Sequence, residues 1–269
     1  MKKLFFLLLI IPSFIFAQSQ YGAKKRPSTD IGFLAGASFY RGDLNIFDNL
    51  SNSFRPAVGL LYRYNFDRRI SVRANLLYAN VAADDAKSNS ILQQQRNLSF
   101  KSYIIETSGQ VEINFVEYKM GSDLYKASSY VFIGLGTFFF QPKADLNGEW
   151  VKLQPLKTEG KNYRLAQIAI PMGLGFKWNV AHKTSFAIEG GMRKTFTDYI
   201  DDVSTVYPKT LASGTAAALS DRSSYIDSTI KNPGRQRGNS KNKDWYGFVG
   251  FSVSFQIYEL GDPCNAYDY

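Results

Sequence analysis

Few side chains in this 269-residue chain are equipped for covalent or metal chemistry. His182 is the only histidine and Cys264 the only cysteine. One of each cannot assemble a Cys/His metal site or an internal disulfide. The strand pattern places His182 in a short link on the periplasmic side, which excludes a Ser-His-Asp arrangement at the outer rim. Asp198, Asp201 and Asp202 lie close enough in sequence to form a paired-carboxylate site. Acidic loop residues more often make a solvated face or hold a cation, because catalysis needs perturbed groups in a cleft. No catalytic residue, metal ligand or cofactor site is assigned, and the chain reads as non-enzymatic.

Two other sets of charges stand out. Arg63, Arg73, Glu106, Glu112, Lys177, Glu189 and Arg193 occur at alternate positions within otherwise apolar segments. They are mixed in sign, and an eight-stranded barrel is only wide enough inside for side chains. They therefore read as a buried ion-pair network rather than a pore lining, and such a network must be well satisfied. Lys231, Arg235, Arg237, Lys241 and Lys243 form a basic stretch. It suits contact with lipid phosphates at the outer rim, or a simply solvated loop.

The elements that must position these groups are strands. Eight segments alternate with period two, each near the length a tilted membrane-crossing strand requires. They are residues 31–40, 57–66, 70–78, 105–115, 130–140, 166–178, 186–193 and 245–257. In the first, Ile31, Phe33, Ala35, Ala37 and Phe39 share a face. In the second, Val58, Leu60, Tyr62, Tyr64 and Phe66 face outward, with Gly59, Leu61 and Arg63 inward. The fifth is apolar on both faces and its sides stay unassigned. The links alternate in length. Those at 42–53, 82–97, 141–163 and 197–244 are long and polar, and those at 67–69, 117–128 and 180–183 are shorter. Outer-membrane barrels have this asymmetry, and a soluble sandwich gives no reason for it. The expected fold is all-β: an eight-stranded antiparallel transmembrane barrel with long extracellular loops and short periplasmic turns. A ten-stranded barrel, with a hairpin taken from 197–244, stays open. Residues 208–219 are read as a short helix with Pro208 in its first turn. Tyr40, Tyr64, Phe66, Tyr78, Tyr130, Trp178, Phe196, Tyr199 and Trp245 fall near strand ends, where aromatic rings favour membrane interfaces.

Composition agrees with this class. Hydrophobic residues make up 45%, charged residues 20% and aromatics 15%, with 21 Gly. A mean hydropathy of -0.23 argues against a bundle of membrane-spanning helices. Lys2 and Lys3 precede an apolar run from Leu4 to Phe16 that is too short to span a bilayer as a helix. That pattern reads as a secretory signal peptide over 1–17, cleaved after Ala17. The remaining divisions are an N-terminal periplasmic segment at 18–29, the barrel at 30–258 and a periplasmic tail at 259–269. Cleavage lowers the formal charge of +9 by two lysines. The remaining excess suits an anionic membrane surface, and no basic helix or zinc knuckle points to nucleic acid. The expected location is the outer membrane.

Several segments together resemble a known family. They are Gly42-Asp43-Leu44-Asn45, Leu61-Tyr62-Arg63-Tyr64-Asn65-Phe66, Arg96-Asn97-Leu98-Ser99-Phe100, Leu153-Gln154-Pro155-Leu156 and Thr158-Glu159-Gly160. They continue with Leu219-Ser220-Asp221-Arg222-Ser223, Arg237-Gly238-Asn239-Ser240-Lys241-Asn242 and Asp244-Trp245-Tyr246. The most specific run extends from Met192 to Ser204 and contains Asp198, Tyr199, Asp201 and Asp202. Together they are similar to the PorG family of Bacteroidota outer-membrane proteins over about residues 30 to 258. The resemblance implies a component of the type IX protein secretion system, which supports gliding motility in some species. It implies contact with a periplasmic ring of PorK- and PorN-type (GldK- and GldN-type) proteins, and it brings no catalytic residues. Outer-membrane lipid is the other expected partner. No nucleic acid or small-molecule substrate is expected. The turn at 117–128 and the tail at 259–269 are the candidate docking sites. The alternatives are a small passive pore or ligand-binding barrel, and an enzyme acting on surface lipid.

Overall fold

The computed structural model describes residues 27–45, 53–210, 214–227 and 229–259. The expected signal peptide, most of the N-terminal segment, and the tail beyond Glu259 with Cys264 lie outside the described residues. Among the described residues nine strands form, in chain order: β1 Ser28–Arg41, β2 Arg55–Asn65, β3 Ile70–Asp84, β4 Ser99–Asn114, β5 Ala127–Leu146, β6 Glu149–Lys152, β7 Ala166–Ala181, β8 Thr184–Thr195 and β9 Trp245–Glu259.

Eight of them close into an antiparallel barrel. The order runs β4-β3-β2-β1-β9-β8-β7-β5, and β4 pairs with β5 to complete the ring. Every wall strand therefore has two neighbours and the wall has no open edge, which is the condition for crossing lipid with strands. The short β6 extends the far end of β5 through a tight turn at Asn147 and Gly148, both in the left-handed region. Asn-Gly is the dipeptide that such a hairpin turn selects. Within 197–244 the described residues form only an isolated bridge between Val206 and Gln236, so the barrel has eight strands and not ten.

Side-chain parity divides the wall into two surfaces. Phe33, Val58, Leu60, Leu76, Ile133, Leu174 and Ile188 are exposed on the outside. A continuous apolar exterior of this kind is the surface a bilayer demands of a barrel. Among the described residues no helix is long and apolar enough to cross a membrane.

The faces of β5 follow from what stands opposite. Tyr130, Phe132, Phe138 and Phe140 point inward, while Val131, Ile133 and Leu135 point out. The inward rings fit because β7 and β8 carry glycines on that side. A Cβ on Gly191 would lie 2.7 Å from the Phe132 ring, and one on Gly175 would lie 2.5 Å from Tyr130. Two apolar faces are thus compatible with a lumen position, provided the facing strands give up their side chains. Pro171 also leaves a mark. The β5–β7 ladder is interrupted between Ile133–Met172 and Gly136–Ala169, where proline has no N–H to offer.

Described residues cover both ends. At the short-turn end, the β4–β5 connection folds under the barrel and buries Tyr118 and Met120. The Tyr118 hydroxyl donates to Asn179 Oδ1 at 2.7 Å. Gly121, with φ 76°, packs against the His182 carbonyl so closely that a Cβ would come within 2.3 Å of it. At the long-loop end, Leu44, Leu98, Leu153, Ile200, Val203 and Leu219 join the upper lumen residues in one apolar core. Two short helices lie in these loops: α1 at Ile91–Arg96 and α2 at Thr215–Ser220. The helix expected over 208–219 is corrected to α2. It starts only after Gly214, whose φ of 76° breaks continuity with Pro208.

Candidate functional site

The lumen charges meet in two linked layers. In the lower layer, Arg63 and Arg73 are directly opposite across β2 and β3. Like charges so placed repel, and carboxylates from three other strands surround them. Arg73 is held by Glu189, with Nη1–Oε2 at 2.7 Å, and Arg63 lies 3.3 Å from Glu112. Lys177 also donates to Glu112, and Tyr130 donates to Glu189 at 2.7 Å. In the upper layer, Arg193 Nε donates to Glu106 at 3.1 Å, and Tyr246 donates to the same carboxylate at 2.8 Å. Gln110 joins the layers, accepting from Arg73 Nε at 2.9 Å and donating to Ser108, which donates to Glu106.

All seven charges expected in the lumen are brought together there, and the structure adds an eighth. Asp30 is buried and lies 3.7 Å from Arg63. The set then holds four cations and four carboxylates, which leaves the low-dielectric interior neutral. Asp30 was legible: it sits two residues before Gly32 on the inward face, one position ahead of where the apolar alternation begins.

A second cluster lies above the mouth, in the loops. Asp198, Asp201 and Asp202 are buried there, so the expectation of a solvated acidic face is corrected. Asp202, at φ 66°, accepts from Tyr163 at 2.6 Å and from Thr158. Arg237 Nη1 pairs with Glu159 at 3.1 Å, while its Nε donates to the Ser220 carbonyl at 3.0 Å. Glu159 in turn accepts from the Ser204 and Thr205 amides at 2.9 and 3.0 Å. Arg96 grips Asp85 with two bonds, at 2.7 and 2.8 Å, and donates to the carbonyls of Asp43 and Arg237. Asp43 accepts from the Asn239 amide at 2.7 Å. Most of the segments that carried the family resemblance thus converge on one lattice, although they are far apart in the chain; 61–66 instead lies in the wall on β2.

The lattice is short of positive charge. Its buried acids are Asp43, Asp85, Glu159, Asp198, Asp201, Asp202 and Asp244, against the guanidinium groups of Arg96 and Arg237. Burial pushes Asp202 up to about 6 in spite of Arg237. Asp198 is also raised to about 6 by burial, with Ser204 opposing the rise. Among the described residues, no group of three or more His, Cys, Asp or Glu is arranged to hold a metal ion. His182 lies in the two-residue turn between β7 and β8, at the opposite end from these carboxylates.

Two further expectations are corrected. Arg237 does not face lipid phosphate; it is buried against Glu159 and Asp202. Lys231, Arg235, Lys241 and Lys243 do stay exposed. Among the aromatics, Tyr40 and Tyr130 are turned into the lumen, and Tyr199 stacks on Tyr163 inside the loops at 4.6 Å. Strand parity, not proximity to a strand end, decides which rings reach the interface. Tyr64, Phe66, Tyr78 and Phe196 are exposed on the outside. The sequence reading missed Asp30, Tyr40, Asp85 and Asp244 as site residues. Tyr40 was visible as an inward-facing residue, but its loop partners were not.

The strand pairing and the apolar exterior define a transmembrane β-barrel of the outer-membrane type. The chain belongs to the family described as a domain of unknown function, DUF6089, whose model matches residues 2–267. No curated protein matches it. Among solved structures, it is similar to a major outer membrane protein from Thermus thermophilus, with 13% identity and a TM-score of 0.41 over 86% of this chain and 100% of that one. It is also similar to Ail, the attachment invasion locus protein of Yersinia pestis, with 13% identity and a TM-score of 0.38 over 87% of this chain and 100% of that one. Neisserial surface protein A matches at 11% identity with a TM-score of 0.36, over 88% of this chain and 99% of that one.

Proposed function

We propose that this protein is a non-enzymatic outer-membrane component of the type IX secretion system, of the PorG kind, that holds the periplasmic ring of PorK- and PorN-type proteins to the membrane. One observation carries the anchoring role. The lumen is filled by a neutral ion-pair network and closed at both ends, so the surfaces left for work are the outer wall and the two rims. A filled barrel suits a mechanical part better than a passive pore. Most of the PorG-like segments converge on one loop lattice, which supports their use as structure, while 61–66 runs down the wall to the short-turn end, where ring binding is proposed. There the connection at 117–128 presents Leu124, and Lys119 of that connection is tied to Glu259 at the end of β9 at 2.7 Å. The two expected docking segments are therefore neighbours at the point where the tail begins.

The test is deletion of the gene in its host, followed by measurement of type IX cargo in the medium. Collapse of secretion with an intact outer membrane supports the reading, and normal secretion rejects it. Truncation after Glu259, or Leu124→Asp, should release the ring in pull-downs while the barrel stays folded. Unchanged recovery of the ring in both variants would remove docking from this face.

A further inference from the structure

Tyr40 stands between two carboxyl groups at the barrel mouth. Its hydroxyl oxygen lies 2.6 Å from Asp201 Oδ2 and 2.7 Å from Asp244 Oδ1. All three side chains are buried. A phenol has one hydrogen to give, so it can satisfy one of these contacts and not both. The remaining oxygens are already engaged: Asp201 Oδ1 accepts from the Val203 amide and Asp244 Oδ2 from the Ile200 amide, each at 2.9 Å. The second short contact therefore needs a hydrogen of its own, and only a protonated carboxyl can supply it. The backbone of Gly42 seals the spot, since a Cβ there would fall 1.9 Å from the Tyr40 oxygen and 2.0 Å from Asp244 Oδ1.

We infer that Asp201, Tyr40 and Asp244 share one extra proton and form a latch that ties the longest loop to the barrel wall and loosens as pH rises. In the latched state the phenol donates to one carboxylate, and the other carboxyl donates its proton to the phenolic oxygen. The three groups come from three places: β1, the loop after β8, and the residue that leads into β9. Loss of the proton leaves two carboxylates around a single phenolic donor, so one of the two short contacts becomes repulsive. The charged groups facing the pair are Asp43 and Asp198, which favour holding the proton, and Arg96, which opposes it. Burial raises both carboxyls well above the ordinary range, helped by Asp244 and Asp43 at Asp201 and by Asp198 and Asp43 at Asp244, in agreement with the geometry. The sign follows. Native pKa values above the unfolded ones mean that the closed loop binds more protons, so the closure weakens as pH rises toward the native values and levels off beyond them.

The experiment uses the full mature chain refolded in detergent. Infrared spectra in D2O, taken at mildly alkaline pH above the range of Asp198 and Asp202, should show the C=O stretch of one protonated carboxyl. Protection of the Ile200 and Val203 amides, corrected for intrinsic exchange rate, should fall by up to about tenfold per pH unit while that band persists and level off as it titrates away. Asp244→Asn should keep the loop closed, because its amide can donate to the phenol where the protonated carboxyl did. It should lose the band and the pH dependence together. Asp201→Asn makes the same test from the other side and serves if the first variant does not fold. The inference fails if the wild type shows no such band and no change of protection with pH. It also fails if either variant retains the wild-type pH profile.

Discussion

Arg63 and Arg73 face each other across β2 and β3 with their charges inside a low-dielectric lumen. Only the carboxylates around them make that arrangement tolerable. Arg73 carries the most connections, to Glu189, Glu112 and Gln110. Arg73→Leu should therefore leave Glu189 and Glu112 short of a cation and cost about 3–5 kcal/mol, the usual penalty for an uncompensated buried charge. Denaturant unfolding of the barrel in detergent measures it. Joint replacement of Arg73 and Glu189 by apolar residues should cost less than Arg73→Leu alone. Asp198 gives the opposite expectation. Its carboxylate is buried and raised to about 6. The native state thus loses stability as pH climbs from the unfolded value near 3.8 through about 6. Asp198→Asn should stabilise the loop cap by about 1–3 kcal/mol above that window and give no gain below it. Loop protection measured at two pH values checks both halves.

At the scale of elements, the barrel depends on pairing large side chains on one strand with absent ones on another. β5 turns Tyr130 and Phe132 inward, and Gly173, Gly175 and Gly191 on β7 and β8 receive them. Gly191→Val would place its branches against Phe132 and against the Met172 carbonyl, each 2.7 Å from the first added carbon. Overpacking of this kind costs about 1–3 kcal/mol or more. Reduced thermal resistance of the folded band on cold-loaded gels should report it. The loops follow a different rule. β6, α1 and α2 are too short to stand alone, and they are held by the charged lattice over the mouth and by the apolar core that continues upward from the barrel.

For the whole molecule, the decisive property is that the described side chains fill the lumen. Tyr118 and Met120 close one end, the ion-pair layers fill the middle, and the loop core covers the other. Reconstituted in planar bilayers, the protein should show no steady ion conductance. A stable open channel would mean that the loop cap or the β4–β5 connection leaves the barrel in a membrane. Arg73→Leu should not create conductance either, because the aromatic and loop layers above it remain in place.

Strand alternation, the outward faces and the alternation of long and short links were all legible in the sequence, because lipid on one side of a wall imposes a period of two on every strand. The lumen charges were legible for the same reason: a charge on the inward parity of an apolar strand has nowhere else to go. Asp30 escaped only because the apolar run begins one residue later. The partners of each charge were decided by closure of the sheet, which sets Glu112 of β4 and Glu189 of β8 against arginines of β2 and β3. The loop lattice was decided by tertiary structure alone. Tyr40, Asp201 and Asp244 are polar residues of ordinary spacing, with no local pattern to join them. Closing the barrel brings β1 beside β9 and folds the loop between β8 and β9 back over both. Only then does a single phenolic hydrogen face two buried carboxyl groups.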